Sequence, residues 1–171
     1  ISELGAATKV AKVDGGFAVG ATWGAGAAAP GPDDVVLIPV GRTITVDTTT
    51  AIAKSIIVRG TLRFAVGVST KLRVETLVVD DNAKLLVGEE GAGVLGAVTA
   101  TISIRDDLPV TLDSGRLARG IIASHHAMVR MVSAAPRDPV VEFANNLGPA
   151  TTGNLATTAQ VPANWKVGDQ I

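Results

Sequence analysis

A chain of 171 residues with 15 Lys and Arg against 16 Asp and Glu carries a formal charge of −1, so no basic field directs it to nucleic acid or an anionic membrane. It has no cysteine, which excludes disulfides, zinc–thiolate centres and thiol catalysis together. Apolar residues make up 47% and aromatics only 3%, with much of the apolar share in Ala and Val, a composition that favours tightly stacked sheet over aromatic-cored helices.

In chain order, residues 1–29 read as an N-terminal cap segment. The run GGFAVGATWGAGAAAPGP holds too many glycines for a long helix, at about 1 kcal/mol per interior Gly. A short strand or two and a loop are expected there, with a short helix as the alternative near this end or around 114–119. Residues 30–171 read as one β-helical domain. Within it, four segments align: VVLIPVGRTITV (35–46), KSIIVRGTLRFA (54–65), ETLVVDDNAKLLV (75–87) and TISIRDDLPVTL (101–112). Each is an apolar strand, a polar or Gly-containing corner, and a second short strand.

Gly41, Gly60, Asn82 and Asp107 occupy the corners, 19, 22 and 25 residues apart, and Gly, Asn and Asp are the residues that tolerate left-handed backbone or satisfy turn amides locally. Pro39 cannot donate to a strand ladder, so it marks the end of the first strand and the start of a corner. A two-strand unit returning about every 20 residues predicts an all-β fold, a short parallel β-helix or solenoid of about five to six rungs. No single rung could bury its apolar face; stacking closes the Val and Ile columns into one core. An antiparallel sandwich is the competing reading, since it also uses regularly spaced short strands. Past residue 113 the repeat blurs. GIIAS and AMVRMV are expected as further strands, and 142–165 as a long turn-rich surface loop.

The motifs TWGAGAAAPGPDDVVLIPVGRTITVD, IIVRGTLRFA, LRVETLVVDDNAKLLVGEE and NWKVGDQI together resemble the eight-glycine (G-eight) domain of secreted and cell-surface proteins, among them fibrocystin-like and hyaluronan-binding, migration-inducing proteins. The resemblance covers residues 22–171. Family members commonly carry a Gly-rich segment where this chain has GIIASHHAMVRMV. The resemblance implies an extracellular β-helical module, often ahead of a longer parallel β-helix, and some link to carbohydrate.

Candidate chemistry is sparse. Acid pairs recur at Asp33-Asp34, Asp80-Asp81, Glu89-Glu90 and Asp106-Asp107. Adjacent strand residues face opposite sides, so a calcium or glycosidase site would need acids from stacked rungs about 4.8 Å apart. Asp81 and Asp107 could align in that way as a calcium site; the plainer reading is that the acids cap turns. His125 and His126 lack the His-x-His spacing that puts two ligands on one strand face. Trp23 and Trp165, the only tryptophans, are either sugar-stacking platforms or caps on the ends of the stack. Nothing resembles a phosphate loop, a nucleophile elbow or a dinucleotide fingerprint, and no residue is assigned to catalysis.

Two functions follow as expectations. The first is a structural and interaction module of a larger extracellular protein, supporting adhesion or assembly, with open strand edges that neighbouring domains or other copies of the chain would cover. The second is a carbohydrate-binding or carbohydrate-processing domain, with Trp23 and the arginines Arg59, Arg63 and Arg73, expected on neighbouring rungs, as partners for an anionic polysaccharide. No cofactor is expected beyond calcium. No apolar run approaches the 18 residues of a membrane span, so no membrane insertion is expected. The chain starts at Ile1 without a basic leader, and it stops at Trp165–Ile171 where a new strand is expected to begin; a piece of a longer chain is the expectation.

Overall fold

Short runs of Val, Ile, Leu and Thr broken every four or five residues leave little room for anything but short strands. The computed structural model describes residues 6–88, 93–94, 97–105 and 119–133, and they form a three-faced parallel coil. The elements are β1 (Lys9–Val10), β2 (Gly15–Gly16), α1 (Gly20–Trp23), β3 (Val35–Ile38), β4 (Thr43–Val46) and β5 (Ala51–Ile52). They continue with β6 (Ser55–Val58), β7 (Thr61–Phe64), β8 (Thr70–Val74), β9 (Thr76–Val79), β10 (Lys84–Val87), β11 (Ala100–Ile104), β12 (Gly120–Ala123) and β13 (Met128–Met131). Three sheets run along the coil: A in the order β1-β3-β6-β9-β12, B as β2-β4-β7-β10-β13, and C as β5-β8-β11. Every pairing is parallel.

The fold is therefore the all-β parallel solenoid, and the rung has three strands rather than two. β11, expected to open a fourth rung, instead pairs with β8 and closes the third face of the rung that β9 begins. The third face was hard to see because β5 is only two residues long. The continuation of that segment, including Asp107, lies outside the described residues, as does the loop expected at 142–165. The strands expected at GIIAS and AMVRMV are β12 and β13.

Register stacks like on like. Val36, Ile56 and Leu77 form one inward column of sheet A; Ile44, Leu62 and Leu85 form another in sheet B. All six are fully buried in one core cluster. Burial of each such side chain contributes roughly 1.5–3 kcal/mol, so the columns carry the stack. At its N-terminal end the core is sealed by Phe17 and Trp23, rings 5.5 Å apart and edge-to-face, with the Trp23 Nε1–H donating to the Phe17 carbonyl at 3.0 Å. α1, a single turn, delivers that Trp.

The corners between sheets A and B stack too. Four-residue turns close with Arg42 N–H to Pro39 O (3.1 Å), Ala83 N–H to Asp80 O (3.0 Å) and Ala127 N–H to Ser124 O (2.8 Å). Each needs one residue at positive φ, supplied by Gly41 (77°), Asn82 (59°) and His125 (33°). Gly60 sits in the tighter two-residue corner, where a Cβ would run into the carbonyls of Pro39 and Arg42 below it.

At the opposite corner, entering sheet A, register places Asp34, Lys54, Glu75 and Arg119 one above another. Charge alternates along this column, and Arg119 Nε meets Glu75 Oε1 at 3.4 Å. A parallel stack puts equivalent residues side by side, so alternation avoids the like-charge contacts that destabilise facing strand positions.

Candidate functional site

The outer faces of the sheets are what a partner would meet. On sheet B, alternation sends Ile44, Leu62 and Leu85 inward and leaves two outward columns, Thr43–Thr61–Lys84–Met128 and Thr45–Arg63–Leu86–Arg130. Arg63 is the centre of this face. Its Nε–H donates to the Thr45 hydroxyl at 2.9 Å, which lays the guanidinium along the coil. On one side, Arg63, Thr45, Phe64, Ala65, Val66, Leu86 and Gly88 line a groove of about 300 Å³. On the other, Arg63 and Thr45 join Asp14, Gly15 and Thr43 around an open depression. Asp14 accepts from the Thr43 backbone N–H at 3.0 Å and stands 3.9 Å from Arg42. Arg63, Lys84 and Arg130 thus put three cations along one face, with hydroxyls and a half-buried Leu between them, and Arg42 stands at the corner beside it. Such a surface can hold an extended polar chain and neutralise acidic groups on it.

The three arginines expected on neighbouring rungs do not share a face. Arg59, Arg63 and Arg73 belong to the single rung β6–β7–β8 and wind around it. Arg59 lies in the A–B corner, paired with Asp80 at 3.1 Å; Arg63 is on sheet B; Arg73 is on sheet C. Only Arg63 is in the groove. The sequence spacing within one rung was mistaken for spacing between rungs because the third strand went uncounted.

Of its two readings, Trp23 takes the cap. It is 5% exposed, and packing against Phe17 leaves no ring face for a sugar. Its companion Trp165 lies outside the described residues.

Of the two acids expected to hold calcium, Asp107 lies outside the described residues. Asp81 Oδ1 accepts from the His126 backbone N–H at 3.2 Å and meets the imidazole Nδ1 at 3.1 Å. That backbone N–H first, and the ring second, hold the Asp81 carboxyl below its ordinary value. Among the described residues no group of three or more His, Asp or Glu is placed to hold a metal ion. Asp34 closes a turn: Oδ1 accepts from Thr8 Oγ1 at 2.6 Å and Oδ2 from the Gly31 N–H at 2.8 Å. Partial burial opposes its ionisation, but the Thr8 and Gly31 donors and nearby Lys9 outweigh it and hold the carboxyl below its ordinary value.

Two features escaped the sequence reading. Thr45 and Leu86 belong to the groove, and aligning the second strands of successive rungs residue by residue would have exposed them. Arg105 is a buried cation, its Nη1 donating to Pro32 O at 2.5 Å and reaching Ala53 O at 3.4 Å. No local pattern marks it, because its partners lie 52 and 73 residues away.

No helix among the described residues is long and apolar enough to cross a membrane. Compared with known proteins, residues 22–144 match the family model described as the G8 domain. Curated proteins and solved structures give no match.

Proposed function

The chain belongs to the G8 domain family, and on that premise we propose that it is a rigid structural and interaction module of a secreted or cell-surface protein. Domains of this family are found in extracellular and cell-surface proteins. The observation that carries the proposal is the contrast between the two ends of the core. The N-terminal end is sealed by Phe17 and Trp23. At β12 and β13 the inward columns end on Ile121, Val129 and Met131, exposed by 39%, 41% and 59%. One rung back, their column mates Leu77, Leu85 and Val87 are buried. An apolar rung end at which, among the described residues, no further strand pairs with β12 or β13 is a joining surface, for the next part of the same chain or for another copy. The test is sedimentation velocity over a hundredfold range of concentration on the chain and on Val129→Asp/Met131→Asp. Concentration-dependent association lost in the variant supports joining between copies. A strictly monomeric chain whose unfolding midpoint falls in the variant supports joining within the chain. No change in either would sink the proposal.

A second reading rests on the Arg63 groove: binding of an extracellular anionic polysaccharide along sheet B. The cations, threonine hydroxyls and groove support it. Titration with a polyuronate and an uncharged glucan, each with and without calcium, tests it. Binding of the polyuronate alone, weakened at least tenfold by Arg63→Ala, is the expected outcome; equal binding by the variant counts against it.

A further inference from the structure

A parallel stack sets each position above its equivalent one rung back, so the last rung specifies what the next strand must bring. Sheet A ends at β12. Gly120 and Ser124 spend their backbone N–H groups on Glu75 O and Val79 O, at 3.0 Å each. Along a parallel strand the hydrogen-bonding direction alternates, so Ile121 and Ala123 turn their N–H and C=O groups to the other edge. Among the described residues no strand pairs with that edge. Its backbone groups are a template for one more parallel strand.

The side chains select which strand. Column by column, sheet A reads Asp34–Lys54–Glu75–Arg119, Val35–Ser55–Thr76–Gly120, Val36–Ile56–Leu77–Ile121 and Leu37–Ile57–Val78–Ile122. The first column alternates in charge and stops on a cation. The last two are apolar throughout, and Ile121, where the inward one stops, is 39% exposed.

Arg119 is only partly satisfied. Its Nε meets Glu75 Oε1 at 3.4 Å, while its Nη2 is buried with no partner among the described residues. A buried guanidinium N–H left unmade is costly, and a carboxylate stacked on Arg119 would remove that cost. The rest of the rung adds to the demand: residues 97–105 and 119–133 contain Arg105, Arg119 and Arg130 and neither Asp nor Glu.

On the joining reading above, we infer that the open edge of β12 takes an extended acidic–apolar segment as a further parallel strand. The segment sets a carboxylate over Arg119, a small or hydroxyl residue over Gly120, and apolar residues over Ile121 and Ile122. A second copy of the chain does not fit this description. Its matching end is the same rung, without an acid among its described residues, and its other end is sealed by Phe17 and Trp23.

Glu75–Val79 already has the required order, so the probe is the peptide acetyl-Glu-Thr-Leu-Val-Val with a labelled Gly-Ser tail. Fluorescence anisotropy on the whole chain compares it with the counterpart that has Lys in place of Glu. The expected result is saturable binding of the acidic peptide, at least about tenfold tighter than the basic one, with the gap shrinking at high salt. Arg119→Gln closes the gap, and Ile121→Ser weakens both peptides. The peptide comparison uses the unaltered chain, so it stands even where a variant does not fold. Equal affinity of the two peptides overturns the inference and leaves the joining surface standing. No saturable binding at millimolar peptide also overturns it, and the sedimentation test then judges joining on its own. Copies that associate through β12, in an assembly that Ile121→Ser abolishes, overturn the inference while supporting joining.

Discussion

Sheets A and B run side by side through the same rungs with matching registers, yet they present opposite surfaces to the outside. Sheet A strands read Val-Val-Leu-Ile, Ser-Ile-Ile-Val and Thr-Leu-Val-Val, and both of their faces are buried apart from a half-buried Leu37. Sheet B strands read Thr-Ile-Thr-Val, Thr-Leu-Arg-Phe and Lys-Leu-Leu-Val, buried on alternate residues only. Stacking treats the two alike on the inside. What separates them is whether the intervening positions are apolar, and that decides which face is packed and which is available to a partner.

The largest effect expected from this contrast comes from placing a charge on each outer face. Val78→Asp puts an unpaired carboxylate at a position only 2% exposed and should cost about 3–5 kcal/mol, enough to unfold a marginal domain. Leu86→Asp lies between Arg63 and Arg130 in its column and should move stability by about 0.5 kcal/mol or less. Urea denaturation of the two variants gives the comparison; equal losses would erase it.

Truncations on the inside should then show the sheets to be equivalent. Leu77→Ala and Leu85→Ala each leave a cavity at a fully buried position and should each cost about 2–5 kcal/mol, with similar values for the two. A much smaller loss at Leu85 would mean that sheet B is packed loosely inside as well as open outside.

The continuous apolar runs of one sheet and the alternation of the other are visible in the sequence, and they are the signatures of two-sided and one-sided burial. The solenoid was legible for the same reason: Val35–Val46 and Ser55–Phe64 align without a gap in the strands, and the corners Gly41 and Asn82 share a left-handed backbone. The third face was not legible, because Ala51-Ile52 has no periodicity to detect. That omission misplaced β11 as a new rung and spread three arginines of one rung over several. Trp23 was ambiguous between platform and cap until its contact with Phe17 was known. The groove depends on register between strands, which composition does not carry.

Smaller effects sit at the corners. Asp34 has its folded carboxyl held below the ordinary value of 3.8, so its contribution to stability is present above that value and is lost as pH falls through the folded one. Asp34→Asn should flatten the acid limb of the unfolding midpoint below about pH 4 and leave the neutral plateau with a small, constant loss. An unchanged acid limb would place the sensitive group elsewhere. Smallest of all, Arg59→Ala breaks an exposed pair with Asp80 and should cost less than about 1 kcal/mol, and less again at high salt. Thermal melts at two ionic strengths measure it.

The most direct test of the contrast between the sheets is the native-state reaction rate of single thiols at matched outward positions, Val78→Cys on sheet A and Leu86→Cys on sheet B, with a small maleimide. A covered sheet A predicts that the thiol at position 78 reacts at least a hundredfold more slowly than the one at position 86, and that urea abolishes the difference. Equal rates in the folded chain would contradict the account.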